Sequence, residues 1–171
     1  MEISELNDKL RFKARNLGLC DQWFGEWSGK EFSQQELIDR YVKGLDFCIK
    51  HGYPTNKFIK DNFDIELLRE NNIIVDDTYS LLNPHVGVIL GESNTKVRCN
   101  GYMVSKLYVK DASKVDVYIK EHAHIIIHIY DNAEVNILEC SSTNTPKVVI
   151  HGELSKCNVA EGAKVRTVAG D

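Results

Sequence analysis

Ser113-Lys114-Val115-Asp116-Val117 and Ala133-Glu134-Val135-Asn136-Ile137 are two copies of one phrase: a small residue, a polar one, then aliphatics at alternate positions. From Pro84 onward the phrase occurs nine times, as in Thr95-Lys96-Val97-Arg98-Cys99, Ser105-Lys106-Leu107-Tyr108-Val109 and Ala123-His124-Ile125-Ile126-Ile127. Pro146-Lys147-Val148-Val149-Ile150, Ser155-Lys156-Cys157-Asn158-Val159 and Ala163-Lys164-Val165-Arg166-Thr167 continue it. A phrase recurring at short, near-constant spacing marks a stacked architecture built of nearly identical layers. The period of two within each copy is that of a strand with one face buried.

About ten residues are too few to close a turn around two aliphatics per strand. Two copies per turn give rungs of roughly 18–20 residues, within the range of known solenoid repeats. The expected fold is therefore α+β: a small helical domain over residues 1–72, a connector over 73–83, and a β-solenoid of four to five rungs over 84–171. An antiparallel meander is the competing reading. It would need hairpin turns between copies, and Asn100-Gly101 is the one Asn-Gly step after Pro84. The inward positions are expected to be Val97/Cys99, Leu107/Val109, Val115/Val117, Ile125/Ile127, Val135/Ile137, Val148/Ile150, Cys157/Val159 and Val165/Thr167.

The first 72 residues have helical spacing instead. Ile3, Leu6, Leu10, Ala14 and Leu17 form one stripe. Ser33-Gln34-Gln35-Glu36 has the form of a capping box, in which serine and glutamate satisfy each other's backbone donors. It opens a helix apolar at Leu37, Ile38, Tyr41, Val42, Leu45, Cys48 and Ile49, with a stop near Gly52. This domain is expected to cap the first rung.

Charge and cysteine usage narrow the function. The 171-residue chain has a net charge of -4, and the excess acid lies before Pro84, with 11 Lys/Arg against 15 Asp/Glu; the remainder carries 10 of each. That balance argues against general nucleic-acid binding. Cys20, Cys48, Cys99, Cys140 and Cys157 form no CxxC pair. With no apolar run long enough to span a bilayer and no signal-like N-terminus, they point to a cytoplasmic, reducing setting. GxSxG, P-loop, GxGxxG and HExxH motifs are all absent. The chain is accordingly expected to be no enzyme, with no cofactor and no metal; His122, His124, His128 and His151 lack a placed third ligand.

Successive copies should occupy alternate faces of the coil. One outward face reads Lys96/Arg98, Lys114/Asp116, Glu134/Asn136 and Lys156/Asn158. The other reads Lys106/Tyr108/Lys110, His124/Ile126/His128, Lys147/Val149/His151 and Lys164/Arg166/Val168, with Tyr108, Ile126 and Val149 as a central column flanked by cations. An apolar stripe on an outer face needs a cover, so these residues from Lys106 to His151 are the expected partner-binding set. Trp23 and Trp27 stand with them as aromatic anchors, or else fill the helical core. A protein or ribonucleoprotein partner, RNA held by lysine stripes, and a homodimer through the C-terminal rung are all open readings.

The longer phrases Asp111-Ala112-Ser113-Lys114-Val115-Asp116-Val117 and Asp131-Asn132-Ala133-Glu134-Val135-Asn136-Ile137 resemble the ten-residue repeats of β-solenoid proteins of bacteriophages and mobile elements. The layout, with Asp46-Phe47-Cys48-Ile49-Lys50-His51-Gly52 in a helical head before a repeat tail, is similar to small accessory proteins of Bacteroidetes phages. That resemblance implies a non-enzymatic phage protein, in its sharpest form an inhibitor of a bacterial defence effector of the anti-CRISPR type. It carries over no site residue. A self-associating structural solenoid is the alternative, with direct RNA binding a weaker third reading.

Overall fold

The computed structural model describes residues 1–170 and divides into two compact units, Met1–Leu68 and the chain from Arg69 onward. The helical run comprises α1 (Ile3–Asn16), α2 (Asp21–Trp27), α3 (Gln34–Lys43), α4 (Leu45–His51), α5 (Asn56–Asn62) and α6 (Ile65–Glu70). Ser33 and Glu36 form the expected capping box: Ser33 Oγ accepts from the Glu36 amide and Glu36 Oε2 accepts from the Ser33 amide at 2.8 Å. Those hydrogen bonds hold the Glu36 carboxyl below its usual range. The helix that opens there is broken at Gly44, not continuous to Gly52. The Trp23 ring lies against Gly44, where an added Cβ would sit 3.5 Å from it. Gly52, at φ +55°, then caps α4 in the left-handed conformation that glycine tolerates.

The core of this unit is Leu6, Leu10, Ala14, Trp27, Leu37, Cys48 and Tyr53. Within it, Asn7 is 3% exposed and uses its whole amide. Nδ2 donates to the carbonyls of Ile3 and Phe32, both at 2.8 Å, while Oδ1 accepts from Trp27 Nε1 at 3.2 Å and Phe32 N at 3.0 Å.

The second unit is a β-solenoid of about 5 turns, as the repeat predicts. Its strands are β1 (Ile73–Val75), β2 (Thr78–Leu82), β3 (Val86–Leu90), β4 (Asn94–Cys99), β5 (Val104–Val109), β6 (Lys114–Ile119), β7 (His124–Tyr130), β8 (Glu134–Cys140), β9 (Lys147–His151), β10 (Lys156–Val159) and β11 (Arg166–Ala169). Odd strands form a six-stranded sheet and even strands a five-stranded one, and every pairing is parallel. Parallel pairing between strands two apart in sequence excludes the meander, which would pair neighbours antiparallel.

Residues 73–83 are not a connector. They hold β1 and β2, which pair with β3 and β4 in a first, shorter turn: Ile73 faces Val88 and Thr78 faces Asn94. The alternation is hidden in β1 because all three of its residues are buried. In the middle turns the step is twenty residues, as from Lys106 to Ile126 and from Lys114 to Glu134.

Corners are made by single residues of positive φ, Asp or Asn at some and Gly at others; Asp and Asn tolerate it through local hydrogen bonding. Asp76, Asp111 and Asp131 serve after β1, β5 and β7, and Asn83 and Glu121 after β2 and β6. Gly91, at φ +74°, takes the corresponding place after β3, and its amide donates to Asp111 Oδ2 of the next rung at 2.8 Å. Small residues line the same edge: Ser113 of the phrase, and Ser93, two residues before the phrase's Thr95, are buried and donate to the carbonyls of Gly91 and Leu90.

Inside the tube, Leu107, Val109, Val115, Val117, Ile119, Ile125, Ile127, Ile129, Val135, Ile137 and Val148 have no exposed surface. Val159 and Thr167, expected inward, are exposed; they lie on the last strand of each sheet among the described residues.

Candidate recognition face

The two outer walls of the solenoid differ in kind. On the five-stranded sheet, oppositely charged and amide side chains alternate between rungs. Lys114, Glu134 and Lys156 share one column, and Asp116, Asn136 and Asn158 the next. Asn136 Nδ2 donates to Asp116 Oδ1 at 3.0 Å, and Asn158 Nδ2 to both Asn136 Oδ1 at 2.8 Å and Glu134 Oε1 at 3.0 Å. On this wall amides and carboxylates of neighbouring rungs bond to one another. One extra residue at β8, where register shifts after Val117, turns Leu138 outward to 48% exposure.

Among the described residues, the outer positions of the six-stranded sheet carry no carboxylate. Its first outer column runs Val86, Lys106, Ile126, Lys147, Arg166; its second runs Val88, Tyr108, His128, Val149, Val168. A third places Tyr130 beside His151. Tyr108, Ile126 and Val149 therefore do not form one column, contrary to expectation. A slip of two residues between neighbouring copies keeps every inward side chain inward, so phrase alignment alone leaves that shift undetected.

The two columns differ in accessibility. In the first, Val86, Lys106, Ile126 and Lys147 are half-buried and Arg166 is exposed. In the second, Tyr108 is 4% and Val149 is 8% exposed, so neither offers surface to a partner. Tyr108 lies in register between Val88 and His128, its ring stacked on His128 at 5.1 Å with Lys106 Nζ 4.8 Å from its centroid. His128 in turn stacks on His151 at 5.2 Å, and Tyr130 on His151 at 4.2 Å. His128 Nδ1 and His151 Nε2 are 3.0 Å apart, a hydrogen bond that requires one proton between those nitrogens. The histidines and tyrosines thus pack as a ladder of flat rings on each other.

The other expected contacts separate further. Lys110 ion-pairs with Asp131 and lies 3.5 Å from Asp111 at the corner. His124 is exposed and in register with Val104, itself 61% exposed. Trp27 is 7% exposed and bound to Asn7, so it fills the helical core and is no anchor. Trp23 is half-buried, with Lys43 Nζ 5.5 Å from its ring. Arg166 lies on this face where the phrase placed it, although it stood outside the expected partner-binding set, and faces Lys147. Tyr130 joins the face without having been read there, its two-residue spacing from His128 being the available signal.

Among the described residues no group of three His, Cys, Asp or Glu is placed to hold a metal ion, and no helix is long and apolar enough to cross a membrane. All five cysteines are free, and burial raises the thiols of Cys48, Cys99, Cys140 and Cys157 above their ordinary range. No protein-family model, curated protein or solved structure matches the chain.

Proposed function

We propose that this is a non-catalytic macromolecule-binding protein whose partner docks on the outer wall of the six-stranded sheet. The observation that supports it is charge segregation. In a chain of net charge -4, no carboxylate among the described residues stands on that wall's outer positions, while Lys106, Lys147 and Arg166 stand there in a single column. Lys147 and Arg166 face each other on neighbouring strands, an arrangement of like charges that destabilises a sheet unless something anionic covers it. The opposite wall, where carboxylates and amides answer the lysines, is built as a solvated surface.

The narrowest form of the reading rests on the resemblance of the repeats to phage-encoded solenoid proteins: inhibition of a bacterial defence effector. The test is co-expression with a CRISPR effector nuclease, followed by co-purification and a target-cleavage assay. Wild type is expected to co-purify and reduce cleavage, and Lys147→Glu to lose both while keeping its circular dichroism spectrum. Undiminished cleavage without co-purification removes the inhibitor reading, and equal behaviour of Lys147→Glu removes this wall as its site.

A further inference from the structure

Resting on that reading, we infer that the element this wall receives is an acidic amphipathic α-helix of a protein partner, lying along the solenoid axis over Lys106, Ile126, Lys147 and Arg166. Three properties of the column point there. Its order is basic, aliphatic, basic, basic, in register from β5 to β11. Its members are all at least partly exposed, unlike the buried Tyr108 and Val149 beside them. And its direction crosses the strands, so its side chains repeat at about 4.8 Å, the strand spacing.

A helix laid along that direction presents one residue per turn at about 5.4 Å. Over three steps the two repeats drift apart by only about 2 Å, well within the reach of lysine and arginine side chains. A stripe of carboxylates interrupted by one aliphatic residue then meets three cations and Ile126, the arrangement of helix-on-surface recognition with anchors one turn apart.

A nucleic acid fits this column less well. Ile126, at its centre, offers nothing to a phosphate. Three cations would give only a shallow salt dependence, since the slope follows the number of phosphates neutralised. The rings that would stack on bases are already stacked on each other, as Tyr108 on His128 and Tyr130 on His151.

The test is selection from a displayed library of single helices randomised on one face, using the whole chain as bait, with single-stranded RNA titrated in parallel. Selected helices are expected to be rich in Asp and Glu around one central aliphatic residue. Their affinity should fall about ten-fold or more in Lys147→Glu and Arg166→Glu. Lys114→Glu and Lys156→Glu, on the opposite wall, should leave it unchanged. Thermal melts of each variant separate lost binding from lost folding. Binders without acidic enrichment, or indifferent to Lys147→Glu, overturn the inference while leaving a binding protein in place. Tighter binding of RNA overturns it in favour of nucleic acid. A library yielding no binder at all overturns this inference and leaves the broader reading to its own co-purification test.

Discussion

Asn7 and Trp27, on α1 and α2, are joined by a hydrogen bond from the indole Nε1 to the amide Oδ1 at 3.2 Å, inside the core of the helical unit. Asn7 falls on the stripe of Ile3, Leu6 and Leu10, where the periodicity alone calls for an apolar side chain. A buried amide is tolerated there because all its donors and acceptors are matched. It ties α1 to the Trp27 indole and to both backbone groups of Phe32, ahead of the α3 capping box.

Asn7→Ala should therefore destabilise the helical unit by about 2 kcal/mol or more. It leaves the buried Trp27 N–H and the part-buried Phe32 N–H without partners, the first alone an expense of order 1–3 kcal/mol. Both tryptophans of the chain, Trp23 and Trp27, lie in this unit, so urea denaturation followed by tryptophan fluorescence reads it directly. A midpoint unchanged from wild type would show that the amide network contributes nothing.

In the solenoid the opposite situation occurs at Thr95. Its Oγ1 is buried without a hydrogen-bond partner, and the residue stands in register with Val115 and has no exposed surface. Valine has nearly the same shape and no hydroxyl to desolvate. Thr95→Val should stabilise the solenoid by about 1 kcal/mol, seen as a raised melting temperature in the β-sheet circular dichroism signal. A lowered one would mean that the hydroxyl is satisfied in solution.

Which side chains face the core was legible in the sequence; which ones stand above one another was only partly so. Ser113-Lys114 and Ala133-Glu134 align as the phrase suggests, since Lys114 faces Glu134. Ser105-Lys106 does not align with Ala123-His124; Lys106 faces Ile126, and Val104 faces His124. Burial constrains the pattern only modulo two, so register falls to corner length and to the fit of individual inward pairs. Neither is written in the phrase. The first turn stayed hidden for a different reason: Ile73-Ile74-Val75 is apolar on both sides and shows no alternation. The recognition wall inherits this division. Its charge was readable, and its columns were not.

Gly87 and Leu107 are one such inward pair. They are in register on β3 and β5, and a Cβ on Gly87 would lie 2.8 Å from Leu107 Cδ2 and 3.5 Å from Leu81 Cδ1. Leu107 has no exposed surface into which to retreat. Gly87→Ala should overpack the second turn and destabilise it by about 1–3 kcal/mol. Adding Leu107→Val removes the obstructing methyl. The double variant should then be less unstable than the sum of the two single ones, a coupling that chemical denaturation of all four proteins measures. Strict additivity would deny the contact.

The alkaline limb of stability is set in the helical unit by Cys48 and Tyr53. Burial pushes the Cys48 thiol up to about 12 from an ordinary value of 9.0. Burial, and then the neighbouring Cys48, raise the Tyr53 phenol well above its ordinary 10.0; its hydroxyl donates to the Leu10 carbonyl at 2.6 Å. Both groups stay protonated in the folded state where the unfolded chain has already released its protons. Above pH 9 the unfolded state therefore binds fewer protons than the native one, and stability falls as pH rises. The slope should average about 1 kcal/mol per pH unit between pH 9 and 10, from Cys48, and climb toward about 2.7 above pH 10 as the unfolded phenol also ionises. Cys48→Ala should flatten the first segment and leave the second steepening in place, in urea midpoints followed by tryptophan fluorescence from pH 8 to 11. A flat wild-type profile across that range would mean that neither group is desolvated in the folded protein.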